Sequence, residues 1–167
     1  SMLLHFDVGR EASIKALDEA ITTGQAVFLV TQRDLSVETP QQDDLYTVGT
    51  ISAVRQILRL PGGTVRVMVE GESRGKLYNI SQTTPFLMAE VEALSSAEGG
   101  TKNTARTEAL IRRAYDLFES YAELAPRMSP EVLVRVLASD DPGYIADYIA
   151  QNIVMRAGDK QAILEEL

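Results

Sequence analysis

A chain of 167 residues, 45% of them hydrophobic, is long enough to bury a core and too apolar to be globally disordered. Its 24 acidic residues against 16 basic ones leave a net charge of −8, which repels a polyphosphate backbone and weighs against general nucleic-acid binding. The absence of cysteine excludes a disulfide framework and a thiolate metal site. No apolar run approaches the roughly 20 residues that span a bilayer, and a cytoplasmic setting is the expectation.

Ser1-Met2 runs at once into Leu3, Leu4 and Phe6, an abrupt entry into a strand over Leu3–Val8 that reads as the cut edge of something larger. From Arg10 to Thr23 the apolar residues Ile14, Leu17 and Ile21 recur at spacings of three and four, and Gly24 supplies a stop, which predicts one amphipathic helix. Gln25–Thr31 is short and continuously apolar, as a strand buried on both sides would be. Residues 33–44 are polar and acidic and contain Pro40, so they read as a loop.

The stretch from Val48 to Ile80 dominates the first half. Two apolar-rich runs flank Pro61-Gly62-Gly63, a strong hairpin signal. With Gly62 and Gly63 as a two-residue turn, Leu58, Leu60, Val65 and Val67 share an apolar inner face. The outer face then sets Ile57 against Met68, surrounded by Arg55, Arg59 and Arg66, with Pro61 at the tip. Either that outer face captures apolar peptide segments, methionine being adaptable and the rim basic, or a second sheet covers it as in a barrel. Arg59 facing Arg66 also calls for an acidic partner, such as the Asp43-Asp44 loop or another molecule. Lys76–Ile80 is expected to return as another strand, and Phe86–Leu94 alternates cleanly between apolar and acidic residues.

Ser95–Asn103 has the composition of a flexible linker, and beyond it the period changes from two to nearly four. Leu110, Ile111, Ala114, Leu117, Phe118 and Tyr121 form a stripe expected to face a core. Ser129-Pro130-Glu131 and Asp140-Asp141-Pro142 each place a capping side chain before a proline at the first helical position. A fourth helix begins near Gly158-Asp159 and runs to Leu167, with the expectation that it continues in a longer protein.

Apparent chemical motifs have blander readings. Gly71-Glu72-Ser73-Arg74-Gly75 matches G-x-S-x-G, but the only histidine, His5, precedes the serine and a strand follows, so a bulge or bend fits better than a nucleophile elbow. Gly99-Gly100-Thr101-Lys102 lacks the spacing of a phosphate loop. His5 beside Asp7 is one imidazole without a second nitrogen or sulfur ligand, a poor metal site. The pairs Asp43-Asp44, Asp140-Asp141 and Glu165-Glu166 read as loop charge and helix caps.

The segments HFDVGR (5–10), FLVTQRD (28–34), DDLYTVGT (43–50), ILRLPGGTVRVMVEG (57–71), DDPGYIADYIA (140–150) and DKQAILE (159–165) together resemble the N-terminal domain of the bacterial Lon family of ATP-dependent proteases, in order and over nearly the whole chain. The resemblance implies an α+β fold: a β-rich PUA-like pseudobarrel with one helix over 2–94, a linker over 95–103, and an all-helical subdomain over 104–167. It implies a non-catalytic module that recognises unfolded or damaged proteins and supports oligomer assembly. The parent would be a homohexamer, with this region a candidate dimer.

No catalytic residue, metal or cofactor is expected in this region. ATP with Mg and a serine-lysine peptidase belong to the parent's downstream domains. The candidate partner-binding residues are Ile57, Arg59, Pro61, Arg66 and Met68. The family pattern also implies a proline-rich apolar strand ahead of Met2 and a long helix after Leu167, and without that strand a sheet edge is expected to be open to pairing or dimerisation. The rival from another class is a PUA-like RNA-binding module using Arg55, Arg59, Arg66, Arg74 and Lys76; the negative charge and the lack of stacking aromatics among those residues weigh against it.

Overall fold

In the computed structural model, residues 2–95 and 104–166 are described, and the chain divides into two compact units, Ser1–Ser95 and Ser96–Leu167. Apart from Ser95, the predicted linker and the Gly99–Lys102 segment lie outside the described residues.

The first unit is an antiparallel sheet with one helix packed on it. Its elements are β1 (Met2–Val8), α1 (Glu11–Thr23), β2 (Val27–Leu29), a short 3-10 turn at Gln42–Asp44, β3 (Val48–Arg59), β4 (Val65–Gln82) and β5 (Met88–Leu94). β4 is the spine. β3 lines one side of it, and β2 pairs with the far edge of β3. The other side of β4 is shared in tandem by β1, from Val8↔Val65 to Met2↔Gly71, and by β5, from Arg74↔Leu94 to Gln82↔Met88. The α+β class expected from the resemblance is what the chain adopts.

Two expectations are corrected here. Lys76–Ile80 is no separate strand but the far half of the 18-residue β4. The segment 25–31 contributes only the three residues of β2, half-buried at a sheet edge, rather than a strand covered on both faces.

The core face follows from alternation along β4. Val65, Val67 and Val69 are buried, and Leu17 of α1 packs on them together with Phe6, Val8, Ile14, Val54 and Ile57. Gly24, with φ 71°, ends α1 in the left-handed conformation that a side chain resists. Within β4 the G-x-S-x-G segment stays strand throughout. Ile51 pairs Ser73 and Ser52 pairs Gly71, so Glu72 is an extra residue and marks a bulge. No strand-turn-helix exists there to expose a nucleophile.

The second unit consists of α2 (Ala105–Leu124), α3 (Pro130–Leu137), α4 (Pro142–Asn152) and α5 (Ala157–Glu165). Phe118, Val136 and Ile145 are its buried centre, packed by Ile111, Tyr115, Tyr121, Leu133 and Tyr148. The predicted apolar stripe of α2 therefore splits: Ile111, Phe118 and Tyr121 turn inward, while Leu110 and Leu117 are exposed.

The caps are those expected. The Ser129 hydroxyl accepts from the Glu131 N–H, and the Asp141 carboxylate accepts from the N–H groups of Gly143 at 2.9 Å and Tyr144 at 3.3 Å. Asp141→Ala removes both acceptors from the orphan donors of α4 and is expected to destabilise the helical unit by about 1 kcal/mol. Thermal unfolding followed at 222 nm reads this; a cost near zero would mean that water replaces the cap without loss.

Candidate functional site

The turn between β3 and β4 decides which residues face outward. The Leu60 N–H donates to the Thr64 carbonyl at 2.9 Å, and Pro61, Gly62 and Gly63 form a three-residue loop, the two glycines at φ 88° and 84°. A two-residue turn would pair Pro61 with Thr64, where a proline has no N–H to donate. Closure moves to Leu60, and the register shifts by one: Arg59↔Val65, Leu58↔Arg66, Ile57↔Val67 and Gln56↔Met68. Beyond that, Val54 pairs Val69, which leaves Arg55 as an extra residue in a second bulge.

The shift corrects the predicted faces. Ile57 looks into the core, and Leu58, expected inside, is 53% exposed. Arg59 also lies on the core side, where its guanidinium reaches both oxygens of Asp18 on α1 at 2.9 Å. Pro61 is exposed at the tip. Of the five predicted residues, Arg66 and Met68 remain together on the outer face.

That face spans three strands. Its rows run Leu3, Glu70, Ala53; then His5, Met68, Gln56; then Asp7, Arg66, Leu58, from β1 across β4 to β3. Leu3, Met68 and Leu58 thus form an apolar diagonal, each offset by two positions from direct opposition and within reach of its neighbour. Leu3 is 57% exposed and Met68 half-buried.

An ion pair stands on each flank. Arg66 donates from Nε to Asp7 Oδ1 at 2.7 Å and from Nη2 to Oδ2 at 2.9 Å. Arg55 Nη2 lies 2.6 Å from Glu70 Oε2. The hydrogen bond from Arg66, with its charge, holds the Asp7 carboxyl below the usual carboxylate range and raises the guanidinium in turn. A shallow depression of about 460 Å3 opens beside this pair, lined by His5, Phe6, Asp7 and Arg66.

This geometry suits apolar contact better than phosphate binding. Arg55, Arg59 and Arg66, three of the cations an RNA ligand would need, are held by Glu70, Asp18 and Asp7 rather than by the Asp43-Asp44 loop. Asp44 instead accepts from the Gln41 N–H in its own turn. Among the described residues no group of three or more acidic or histidine side chains could hold a metal.

Residues 1–167 match the family model described as the ATP-dependent protease La (LON) substrate-binding domain. The chain belongs to this family. A Lon protease of Clostridioides difficile is 41% identical over 167 residues, covering 99% of this chain and 21% of that protein. One from Desulforamulus reducens is 40% identical over 166 residues, covering 99% and 20%. The LON substrate-binding domain thus spans about a fifth of the length of these curated relatives. Among solved structures, the N-terminal domain of a Mycobacterium avium complex Lon protease superposes with a TM-score of 0.70 at 20% identity, covering 99% of this chain and 83% of that one, a likeness of fold.

Leu3 and Leu58 were not singled out as outer-face residues by sequence reasoning. A signal for Leu58 was present: Val54 and Ile57, both apolar, stand three apart with Arg55 and Gln56 between, a break in the period of two that marks a bulge.

Proposed function

We propose that this domain is a non-catalytic recognition module of an ATP-dependent Lon-type serine protease, and that it holds apolar segments of unfolded or damaged proteins on the outer face of β1, β4 and β3. The observation that carries this reading is the open diagonal Leu3–Met68–Leu58 between two satisfied ion pairs. Seating an apolar segment there removes three apolar side chains from water without breaking a charge pair. Methionine at the centre adapts to differently shaped partners. The surface is shallow, so capture is weak and permissive, as handing a chain onward requires.

In this reading the parent's serine-lysine peptidase, its ATP and Mg, its ring assembly and its cytoplasmic setting lie outside these residues. The domain binds without cleaving.

Anisotropy titration of a labelled, permanently unfolded protein tests it. Leu58→Asp and Met68→Asp are each expected to weaken binding about tenfold or more, the burial of one such side chain being worth about 1.5–3 kcal/mol. Arg59→Ala, on the core side, is expected to leave affinity unchanged. Full affinity in both Asp variants, with native circular dichroism, removes this face as the binding surface.

A further inference from the structure

The apolar residues on the outer face of the first unit lie at a regular spacing. Leu3, Met68 and Leu58 stand on three neighbouring strands, each two positions along from the residue directly opposite its neighbour. Diagonal neighbours of this kind are about 7–8 Å apart, so the line spans about 15 Å. With strands about 4.8 Å apart and a two-residue advance of about 6.7 Å, the line is tilted roughly 35° from the strand direction.

A ligand segment matches this line or misses it according to its conformation. In an extended chain, residues i, i+2 and i+4 point to one side and span about 13 Å, a difference that leucine and methionine side chains can close. On a helix the stripe i, i+4 and i+7 spans only about 10 Å and stops short of the third site. The tilt favours the same conformation, since strands of two sheets packed face to face lie about 30° apart. Charge matches as well: Arg66 with Asp7 and Arg55 with Glu70 pair off along the two sides of the line, so the face complements an uncharged segment. Resting on the reading of this face as the capture surface, we infer that it selects extended segments with apolar side chains at every second position, one each over Leu3, Met68 and Leu58. The side chains between them point to solvent and are unconstrained. This is the pattern of a half-buried β-strand, so the substrates are proteins whose sheets have come apart.

Two peptides of identical composition test it, by NMR titration of the isotopically labelled 167-residue chain. Each has three leucines in a serine and threonine background, at i, i+2 and i+4 in one and at i, i+4 and i+7 in the other. The first is expected to bind about tenfold tighter or more, because the second, laid out extended, reaches only Leu3 and Leu58 and sets a polar side chain over Met68. Its amide shifts are expected along β1, β4 and β3 and not in the helical unit. In Met68→Asp the central site is lost to both peptides, and the preference is expected to be lost with it. Equal affinities in the wild type, a preference for the second peptide, no binding of either, or a preference that survives Met68→Asp overturns the inference. Capture of unfolded protein by this face is decided separately, by the anisotropy titration of Leu58→Asp and Met68→Asp.

Discussion

Two adjacent substitutions on β3 are expected to behave in opposite ways. Ile57→Asp should destabilise the first unit by about 3 kcal/mol or more, and Leu58→Asp by no more than about 0.5 kcal/mol. Ile57 packs against the cluster of Leu17, Val65, Val67 and Val69, the three valines of which are fully buried. A carboxylate at this half-buried position is pressed against the apolar cluster and loses part of its hydration, while Arg59 on the same face is already held by Asp18. Leu58 stands in solvent opposite Arg66, and an aspartate in its place gains a favourable neighbour. Urea denaturation followed by tryptophan-free far-ultraviolet circular dichroism measures both. Against a typical domain stability of roughly 5–15 kcal/mol, the Ile57 effect is a large fraction. The reverse order of costs would mean that the hairpin closes with a two-residue turn.

The same comparison shows where sequence reasoning succeeds and where it stops. Helix boundaries set by one or two neighbouring residues were legible: Gly24 ending α1, Ser129 before Pro130, Asp141 before Pro142. Each depends on backbone groups within four residues. The hairpin was equally legible as a hairpin, but its register was not. Register depends on turn length, which the missing N–H of Pro61 decides, and on the extra residues Arg55 and Glu72, which reset the alternation on each strand.

A one-residue shift exchanges the two faces, so Ile57 and Leu58 traded places while Met68 and Arg66 kept theirs. The candidate site was therefore half visible. Its β1 contribution, Leu3, His5 and Asp7, could not be placed, because pairing between residues about 60 apart leaves no local trace. On α2 the error was of another kind. Leu110 and Leu117 are one helical step from Ile111 and Phe118, and periodicity alone merges a wide apolar arc into a single buried stripe.

Gly49→Ala is expected to be the most costly loss of a glycine, at about 3 kcal/mol, although it adds one methyl group. Gly49 is buried on β3, facing β2. A Cβ there would overlap the carbonyl oxygen of Leu29 and stand 2.8 Å from Cζ of Phe28. The first contact is with backbone, which cannot rotate away, so the methyl group must push β2 off the edge of β3. With only Val27, Phe28 and Leu29 paired, β2 has few hydrogen bonds with which to resist. Val27 and Leu29 pack on the core cluster, and their displacement opens it to water.

Gly62→Ala is the contrasting case. Nothing lies within 4 Å of its added methyl group, and its φ of 88° leaves only the left-handed strain of about 1–2 kcal/mol. The two variants are also separated by amide hydrogen exchange: Gly49→Ala should release protection in β2 and the facing part of β3, whereas Gly62→Ala should act only near the hairpin tip. Equal costs, or unchanged protection of Phe28 in Gly49→Ala, would show that β2 yields without loss and that the sheet edge is held by something other than close packing at Gly49.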